Sequence, residues 1–470
     1  MARNSTSELA ASIVECLQTA GFSAFWVGGC VRDFLLGREP QDYDIATDAK
    51  PAQVEELFKR TLPVGRKFGV MIVVEAKHQF QVATFRAEAD YQDGRRPGKI
   101  VFSNAQADAQ RRDFTVNGLF YDPVAKKLHD WVGGEKDLRA KIIRTIGSPE
   151  ERFAEDHLRL LRAVRFAAQL GFEIEPQTFD AVKTLAPKIR LISAERVRDE
   201  LIKLFAPPTG RAGTPLPAAR SQTNDGAHGV TRPTSSAARG LVWLRDSGLL
   251  PHLLPELIAT IVCQQSPDYH PEGTVFEHIR LMLEKMPAKA PASLPWAVIL
   301  HDIAKPATAE RDARTSAIHF YGHEKIGAVM AERILRRLRF PKKQIAEIVA
   351  CVRQHMQFKD VKQMRKATLR RLLMRETFPL ELELHRLDCL GSHGDLELYD
   401  FLVAQAAELK KKPTIRPPLL SGKDLIKLGM KPGPAMGALL DEIRERQLQD
   451  ELKTPGQARN WAKGRIEKMH

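Results

Sequence analysis

Two aspartates two positions apart, Asp42 and Asp44, flank Tyr43 and lead into the apolar pair Ile45-Ala46. Alternate residues of a strand share a face, so this spacing predicts two carboxylates side by side. Paired carboxylates repel unless a cation lies between them, and a hard divalent ion such as Mg²⁺ takes oxygen ligands of this kind. Upstream, Phe25-Trp26-Val27 reads as a short strand that stops at Gly28-Gly29, and a turn of helix carrying Arg32 and Asp33 follows. Glycines let backbone N–H groups approach a phosphate closely. A phosphate cradle beside a two-carboxylate metal site is what nucleotidyl transfer needs. Each fragment alone has a plainer reading, since an isolated Asp-x-Asp is usually a solvated turn and Gly-Gly a loop. Their order within residues 25–48 carries the chemistry.

Further along, Asp156, Arg159, Arg162 and Arg165 recur every three positions in residues 151–172, which read as one helix with a buried stripe through Leu158, Leu161 and Ala168. That spacing makes them near neighbours on adjoining helix faces, either as a salt-bridged surface or as a binding edge. A third group is scattered: His278, the pair His301-Asp302 at a predicted helix end, His323, His355 and Asp388, with Asp395 as an alternative to the last. Any one of these histidines is an ordinary core residue; together, His and Asp suit one or two divalent transition metals.

The elements that must position these residues read in chain order. Residues 8–20 form an amphipathic helix ended by Gly21, and a second helix starts at Pro51. Strands are expected over 70–76 and 79–85, and a polar loop over 87–99. This alternation argues for a small α/β domain with a mixed sheet, followed by helices. Ser193 is expected to cap a helix over 193–201, with Glu195, Arg196 and Glu200 packing it. Residues 207–239, rich in Pro, Gly, Ser, Thr and Ala, are expected to be a disordered insertion.

Composition sets outer bounds. The 470 residues, 43% hydrophobic and 28% charged, suffice for several domains with cores of their own. No run of about 18 apolar residues implies a spanning helix, so no membrane partner is expected. The start of the chain lacks a secretory pattern, and five scattered cysteines read as reduced thiols, which points to a cytoplasmic protein. A net charge of +14 favours a polyanionic partner such as RNA.

The Phe25–Asp48 stretch resembles the first catalytic motif of the DNA polymerase beta-like nucleotidyltransferases, and more narrowly the bacterial (class II) tRNA CCA-adding enzymes and poly(A) polymerases. The resemblance extends through RRDFTVNGLFYD (111–122), the Asp130–Gly134 turn, Glu155-Asp156-x-x-Arg159, SAERVRDEL (193–201) and a tail from Pro417 onward. The His/Asp series resembles the HD metal-dependent phosphohydrolases.

The resemblance implies an α/β head with a polymerase-beta-like palm, then an all-α neck, body and tail. Its domains would be a head over 1–145, a nucleotide-selecting and RNA-binding neck over 146–206, the insertion 207–239, a body over 240–400 with an HD-type site, and an RNA-binding tail over 401–470. It implies Mg²⁺ on the catalytic Asp42 and Asp44, and contacts to the incoming nucleotide from Gly28, Gly29, Arg32, Asp33, Arg112, Asn117, Asp156, Arg159, Arg162 and Arg165. Asn117 would read the ribose 2′-OH, and Asp156 and Arg159 the edge of the base. Where relatives carry a third acidic residue before Val-x-Thr-Phe, this chain has Gln81. Asp90, Asp93, Arg95 and Arg96 would lie in a loop that helps the switch to ATP. The implied activity is addition of C and A from CTP and ATP to tRNA 3′ ends with release of pyrophosphate. Alternatives are a poly(A) polymerase, an enzyme adding only A, and an HD phosphohydrolase acting on RNA-end phosphates.

Overall fold

The structure, a computed structural model, describes residues 5–87, 101–207, 235–267, 270–315, 318–411 and 418–468. Residues 88–99 of the expected 87–99 loop and most of the 207–239 insertion lie outside the described residues. The chain divides into two compact units, the first comprising Met1–Ile258 with Met286–Ala290 and Arg337–Phe340, the second Ala259–Lys285, Pro291–Arg336 and Pro341–His470.

The first unit opens with α1 (Thr6–Thr19), started by a Ser5/Glu8 capping box and burying Leu9, Ile13 and Leu17 along one face. Then come β1 (Ala24–Val27), α2 (Gly29–Leu35), β2 (Asp44–Thr47), α3 (Pro51–Leu57), β3 (Thr61–Leu62), β4 (Val70–Glu75), β5 (His78–Thr84), β6 (Arg86–Ala87), β7 (Val101–Phe102), α4 (Ala105–Gln110), β8 (Phe120–Asp122), β9 (Lys127–His129) and α5 (Gly134–Ala140). Seven strands form one sheet in the order β3-β4-β5-β2-β1-β8-β9. Only β2 and β5 run parallel, so the sheet is mixed as expected. Val27, Ala46, Phe85 and Phe120 bury one face against α4.

β10 (Ile142–Ile143) and β11 (Glu173–Ile174) pair in parallel on either side of α6 (Pro149–Glu155) and α7 (Leu158–Leu170); α8 (Pro176–Leu185), α9 (Ala194–Phe205), α10 (Ser236–Asp246) and α11 (Leu250–Leu253) follow. Three expectations need correction here. The single helix over 151–172 is two helices, because Asp156 adopts an extended backbone (φ −152°, ψ 104°) and its carboxylate accepts from Leu158 N at 3.1 Å, starting the next helix afresh. Ser193 stands at the start of α9 but makes no side-chain capping hydrogen bond. Residues 236–239, placed in the insertion, are the first turn of α10, capped by Ser235. The adjoining Gly240 allows close packing: a Cβ there would meet Leu204 Cδ1 at 2.6 Å.

The second unit contains α12 (Ile258–Val262), α13 (Val275–Glu284), α14 (Leu294–Leu300), the hairpin β12 (Ala309–Arg311) and β13 (Ile318–Phe320), α15 (His323–Arg337), α16 (Lys342–Gln354), α17 (Lys366–Leu373), α18 (Phe378–Gly391) and α19 (Glu397–Lys411). It ends in α20 (Gly422–Lys427), α21 (Pro434–Leu448) and α22 (Pro455–Ile466), which close a core of their own around Leu425, Leu439 and Ile443. Among the described residues, no helix is long and apolar enough to cross a membrane.

Candidate functional site

Asp44 is the first residue of β2, and Asp42 lies in the segment just before it. Both are exposed while Tyr43 and Ile45 are buried, so the alternation predicted for a strand persists past the strand's formal start. Partial loss of solvent around the carboxylate, which the surrounding protein imposes even on this exposed residue, raises the Asp44 carboxyl above its ordinary value; the Arg112 guanidinium pulls it down, and the Asp42 charge adds to the rise. A cation between the two would relieve that repulsion, so this donor set fits a hard divalent ion. Gln81 is the register partner of Asp44 on the neighbouring strand and is also exposed. Its neutral amide stands where a carboxylate would make a third acidic ligand.

Gly28 contributes through conformation. Its N–H already donates to Leu119 O (3.2 Å), so it is not a spare phosphate donor. Its φ is +74°, and a Cβ there would meet Arg112 Nη1 at 2.9 Å. Glycine therefore lets Arg112 close over the turn; Arg112 donates to Asn117 O (3.4 Å) and Asp108 Oδ2 (3.1 Å). Gly29 starts α2, which carries Arg32 and Asp33.

From there a buried polar chain runs through the unit. Arg32 pairs with Asp33 Oδ1 (2.9 Å) and donates to Asn117 Oδ1 (2.7 Å). Asn117 Nδ2 donates to Asp113 Oδ1 (3.1 Å), and Asp113 Oδ2 accepts two bonds from Arg162, at 2.8 and 2.6 Å. Glu200 pairs with Arg162 (3.6 Å) and Arg165 (2.5 Å). The Arg32, Arg162 and Arg165 guanidiniums also sit 5.4, 5.2 and 4.0 Å from the Phe166 ring centre. Burial pushes the Asp113 carboxyl up, but Arg162 and the Asn117 amide more than reverse this and hold it below its ordinary value.

Asp156 and Arg159 lie nearby but not as a mutual pair. Asp156 Oδ2 accepts from Arg196 (2.6 Å), whereas Arg159 is ion-paired with Glu155 and donates to Arg152 O (2.9 Å). Sequence reading missed Asp108, Asp113 and Phe166, which hold the arginines, and the support under Asn117. There the Thr115 hydroxyl donates to Asp137 (2.7 Å), and a Cβ on Gly134 would lie 2.2 Å from Thr115 O. The dense Arg-Arg-Asp and Gly-Gly-x-x-Asp runs were the only signals.

In the second unit, helix ends bring the scattered His and Asp residues together. His301 closes α14, His323 opens α15 and His355 follows α16. Their Nδ1 atoms lie 2.9, 2.7 and 2.7 Å from the carbonyls of Val298, Phe320 and Val352, each three residues back. A carbonyl only accepts, so each Nδ1 carries the proton and each Nε2 offers a lone pair. The Nε2 atoms of His323 and His355 are 3.1 Å apart, with Asp302 Oδ1 at 3.3 and 3.6 Å. Lone pairs and a carboxylate converging at such distances fit a cation. Around the second centre, His278 Nε2 lies 3.0 Å from Asp388 Oδ1, with His301 completing the group. All six predicted residues thus fall into two adjoining groups. Asp388 joins them; Asp395 instead accepts from Glu397 N (2.8 Å). Sequence reading missed Glu272, His270, Gln265 and Lys305. Glu272 Oε1 lies 2.6 Å from His278 Nδ1, and Lys305 Nζ 2.7 Å from Asp302 Oδ2.

Comparison with known proteins gives three family matches. Residues 24–144 match the poly A polymerase head domain, 171–215 the "Probable RNA and SrmB- binding site of polymerase A", and 269–390 the HD domain. The CCA-adding enzyme of Staphylococcus aureus (strain MRSA252) is 46% identical over 199 residues, 42% of this chain and 50% of that enzyme. The chain thus spans about half the length of the curated relatives it matches. The crystal structure of the Bacillus stearothermophilus CCA-adding enzyme in complex with CTP superposes with a TM-score of 0.68 at 25% identity, covering 98% of this chain and 97% of that one. The Thermotoga maritima CCA-adding enzyme complexed with tRNA shares the fold (TM-score 0.55, 18% identity, 99% and 97% covered).

Proposed function

We propose, from the premise that this chain joins a poly A polymerase head domain to an HD domain, that it is a template-independent RNA 3′-end nucleotidyltransferase adding CCA to tRNA in the cytoplasm. The observation that carries this reading is the Asp42/Asp44 pair beside the Gly28 turn, linked through Asn117, Asp113 and Arg162 to the helix that follows Asp156 and bears Arg159. Asp42 and Asp44 would hold Mg²⁺, which supplies charge stabilisation at the triphosphate and the attacking oxygen. Arg112, packed against the Gly28 turn, places a fixed positive charge for phosphate oxygens. Asn117, with its amide oriented by Arg32 and Asp113, stands ready to read a ribose hydroxyl. Asp156 and Arg159 offer an acceptor and donors to the base edge, a pattern that favours CTP and ATP, whose exocyclic amino groups donate.

Two variants follow from this geometry. Gly28→Ala forces a side chain onto a backbone that costs about 1–3 kcal/mol for non-glycine residues and displaces Arg112. The expected result is a higher KM for both nucleotides, measured by steady-state incorporation. Asp156→Ala and Arg159→Ala each remove charged hydrogen bonds worth about 1.5–3 kcal/mol, so discrimination against UTP and GTP falls by about 10–100-fold. Competition between nucleotides in one reaction measures it.

The deciding experiment supplies CTP and ATP, separately and together, to tRNA lacking its CCA end and sequences the products. C, C, then A with a stop supports the proposal. A long A tract from ATP alone makes the chain a poly(A) polymerase, a reading favoured by the matched head description. A single A added only after CC indicates an A-adding enzyme. No addition overturns the transferase reading.

The His/Asp cluster favours a second activity, hydrolysis of phosphate esters at RNA ends. His278, His301, Asp302, His323, His355 and Asp388 would hold one or two divalent transition ions, which polarise a phosphate ester. Opening of 2′,3′-cyclic phosphate ends to a phosphomonoester by the wild type, absent in His301→Ala, tests it.

A further inference from the structure

We infer that Glu272 is a positioning residue that makes the two halves of the His/Asp cluster unequal, giving the His278–His301–Asp388 half the tighter hold on a divalent transition ion. The inference rests on the reading of the cluster as a metal centre. Three of its histidines fasten Nδ1 to a neutral backbone carbonyl. His278 alone fastens Nδ1 to a carboxylate, Glu272 Oε1, at 2.6 Å. A hydrogen bond to a charged acceptor is stronger than one to a carbonyl and makes the opposite nitrogen a better donor to a metal.

Glu272 is held for this task. Its side chain is 5% exposed, and Oε1 also meets His270 Nδ1 at 2.9 Å. The adjoining backbone is tied down by the bond from Gln265 N to Gly273 O (3.0 Å) and by the Thr274 cap of α13. The His278 ring has no exposure, and Asp388 Oδ1 on α18 lies 3.0 Å from its Nε2, so the ring is held at both nitrogens.

The carboxylate between the two halves carries a built-in cation. Lys305 Nζ lies 2.7 Å from Asp302 Oδ2 and 2.6 Å from Gln265 Oε1, and is buried. Asp302 Oδ1 faces His323 and His355, while Oδ2 lies 3.1 Å from His301 Nε2, so an ion in either half shares this carboxylate with an ammonium. Like charges a few ångströms apart inside a protein repel strongly. Lys305 thus bears on both halves, whereas Glu272 strengthens only the one that contains His278, so the first ion loads there.

The test is Co²⁺ titration of the full chain after removal of metal, read by visible absorption and by bound metal per chain. Wild type is expected to fill two classes of site. In Glu272→Gln the tighter class weakens by about 10–100-fold while the weaker class is unchanged, and Glu272→Asp restores part of the loss. Glu272→Asp, which keeps the carboxylate, also keeps the proposal testable if Glu272→Gln fails to fold: its smaller loss is confined to the tighter class. Equal effects of either substitution on both classes, or loss confined to the weaker class, would overturn the inference. Wild type that binds no Co²⁺ overturns the metal-centre reading and the inference with it; wild type that binds but responds to neither substitution overturns the inference alone.

Discussion

Asp44→Ala lowers nucleotide transfer to RNA 3′ ends by about 10³-fold or more, since the carboxylate pair is the site at which a metal ion contributes several kcal/mol of charge stabilisation. Among the described residues, the Asp44 carboxylate makes no hydrogen bond or ion pair with the protein, while its backbone lies in β2 between β1 and β5. Nothing structural is removed with it, and partial desolvation works against its charge. The fold therefore stays within about 0.5 kcal/mol of wild type, as for other replacements that break no packed contact. Single-turnover extension of a tRNA lacking CCA, alongside a thermal melt, measures both. Transfer within a few-fold of wild type would sink the assignment of the catalytic carboxylates. The companion variant Gln81→Glu adds a charge at the register partner of Asp44 and is expected to lower the Mg²⁺ concentration for half-maximal rate.

Asp113→Ala is expected to destabilise the first unit by about 3 kcal/mol, the lower end of the cost of removing one partner from a buried ion pair, because Arg162 keeps Glu200 and some solvent. The same change frees Asn117, whose amide loses its acceptor, so the KM for nucleotides rises as well. Urea unfolding and nucleotide titration read the two effects separately. The pH dependence has a definite sign. Arg162 and Asn117 hold the folded Asp113 carboxyl below its unfolded value of about 3.9. Its contribution to stability is therefore fully present above that value and is lost as the pH falls through the lower, folded one. Wild type should lose stability on acidification below about pH 4 more steeply than Asp113→Ala. Parallel acid curves would count against the pairing as an energetic element.

The two sites were legible in the sequence to different depths. Asp42, Asp44 and the Gly-Gly turn were visible because short-range periodicity and residue chemistry specify them, whereas the His/Asp series, spread over residues 278–388, was visible through its resemblance to the HD phosphohydrolases. The helix break at Asp156 was not, since a three-residue recurrence of Asp156, Arg159, Arg162 and Arg165 looks helical throughout; it takes the extended Asp156 backbone and its carboxylate bonding to Leu158 N to reveal the break. Arg196 was read as packing for the neck, and it is also the partner of Asp156. Gly28 was read as a phosphate donor, yet its N–H belongs to Leu119 O and its value lies in the space left for Arg112.

By itself the sequence determined the mixed-sheet head, the helical remainder and the identity of the metal-suited residues, because strand and helix periods and a ligand's chemistry are local properties. Only the tertiary structure decided which carboxylate each arginine takes, Asp113 for Arg162 and Glu200 for Arg165, across separations of 49 and 35 residues. It alone revealed Glu272 behind His278 and Lys305 beside Asp302. These pairings follow from desolvation: a charge packed out of water must find the partner that the fold brings within reach, and no local pattern encodes which one that is.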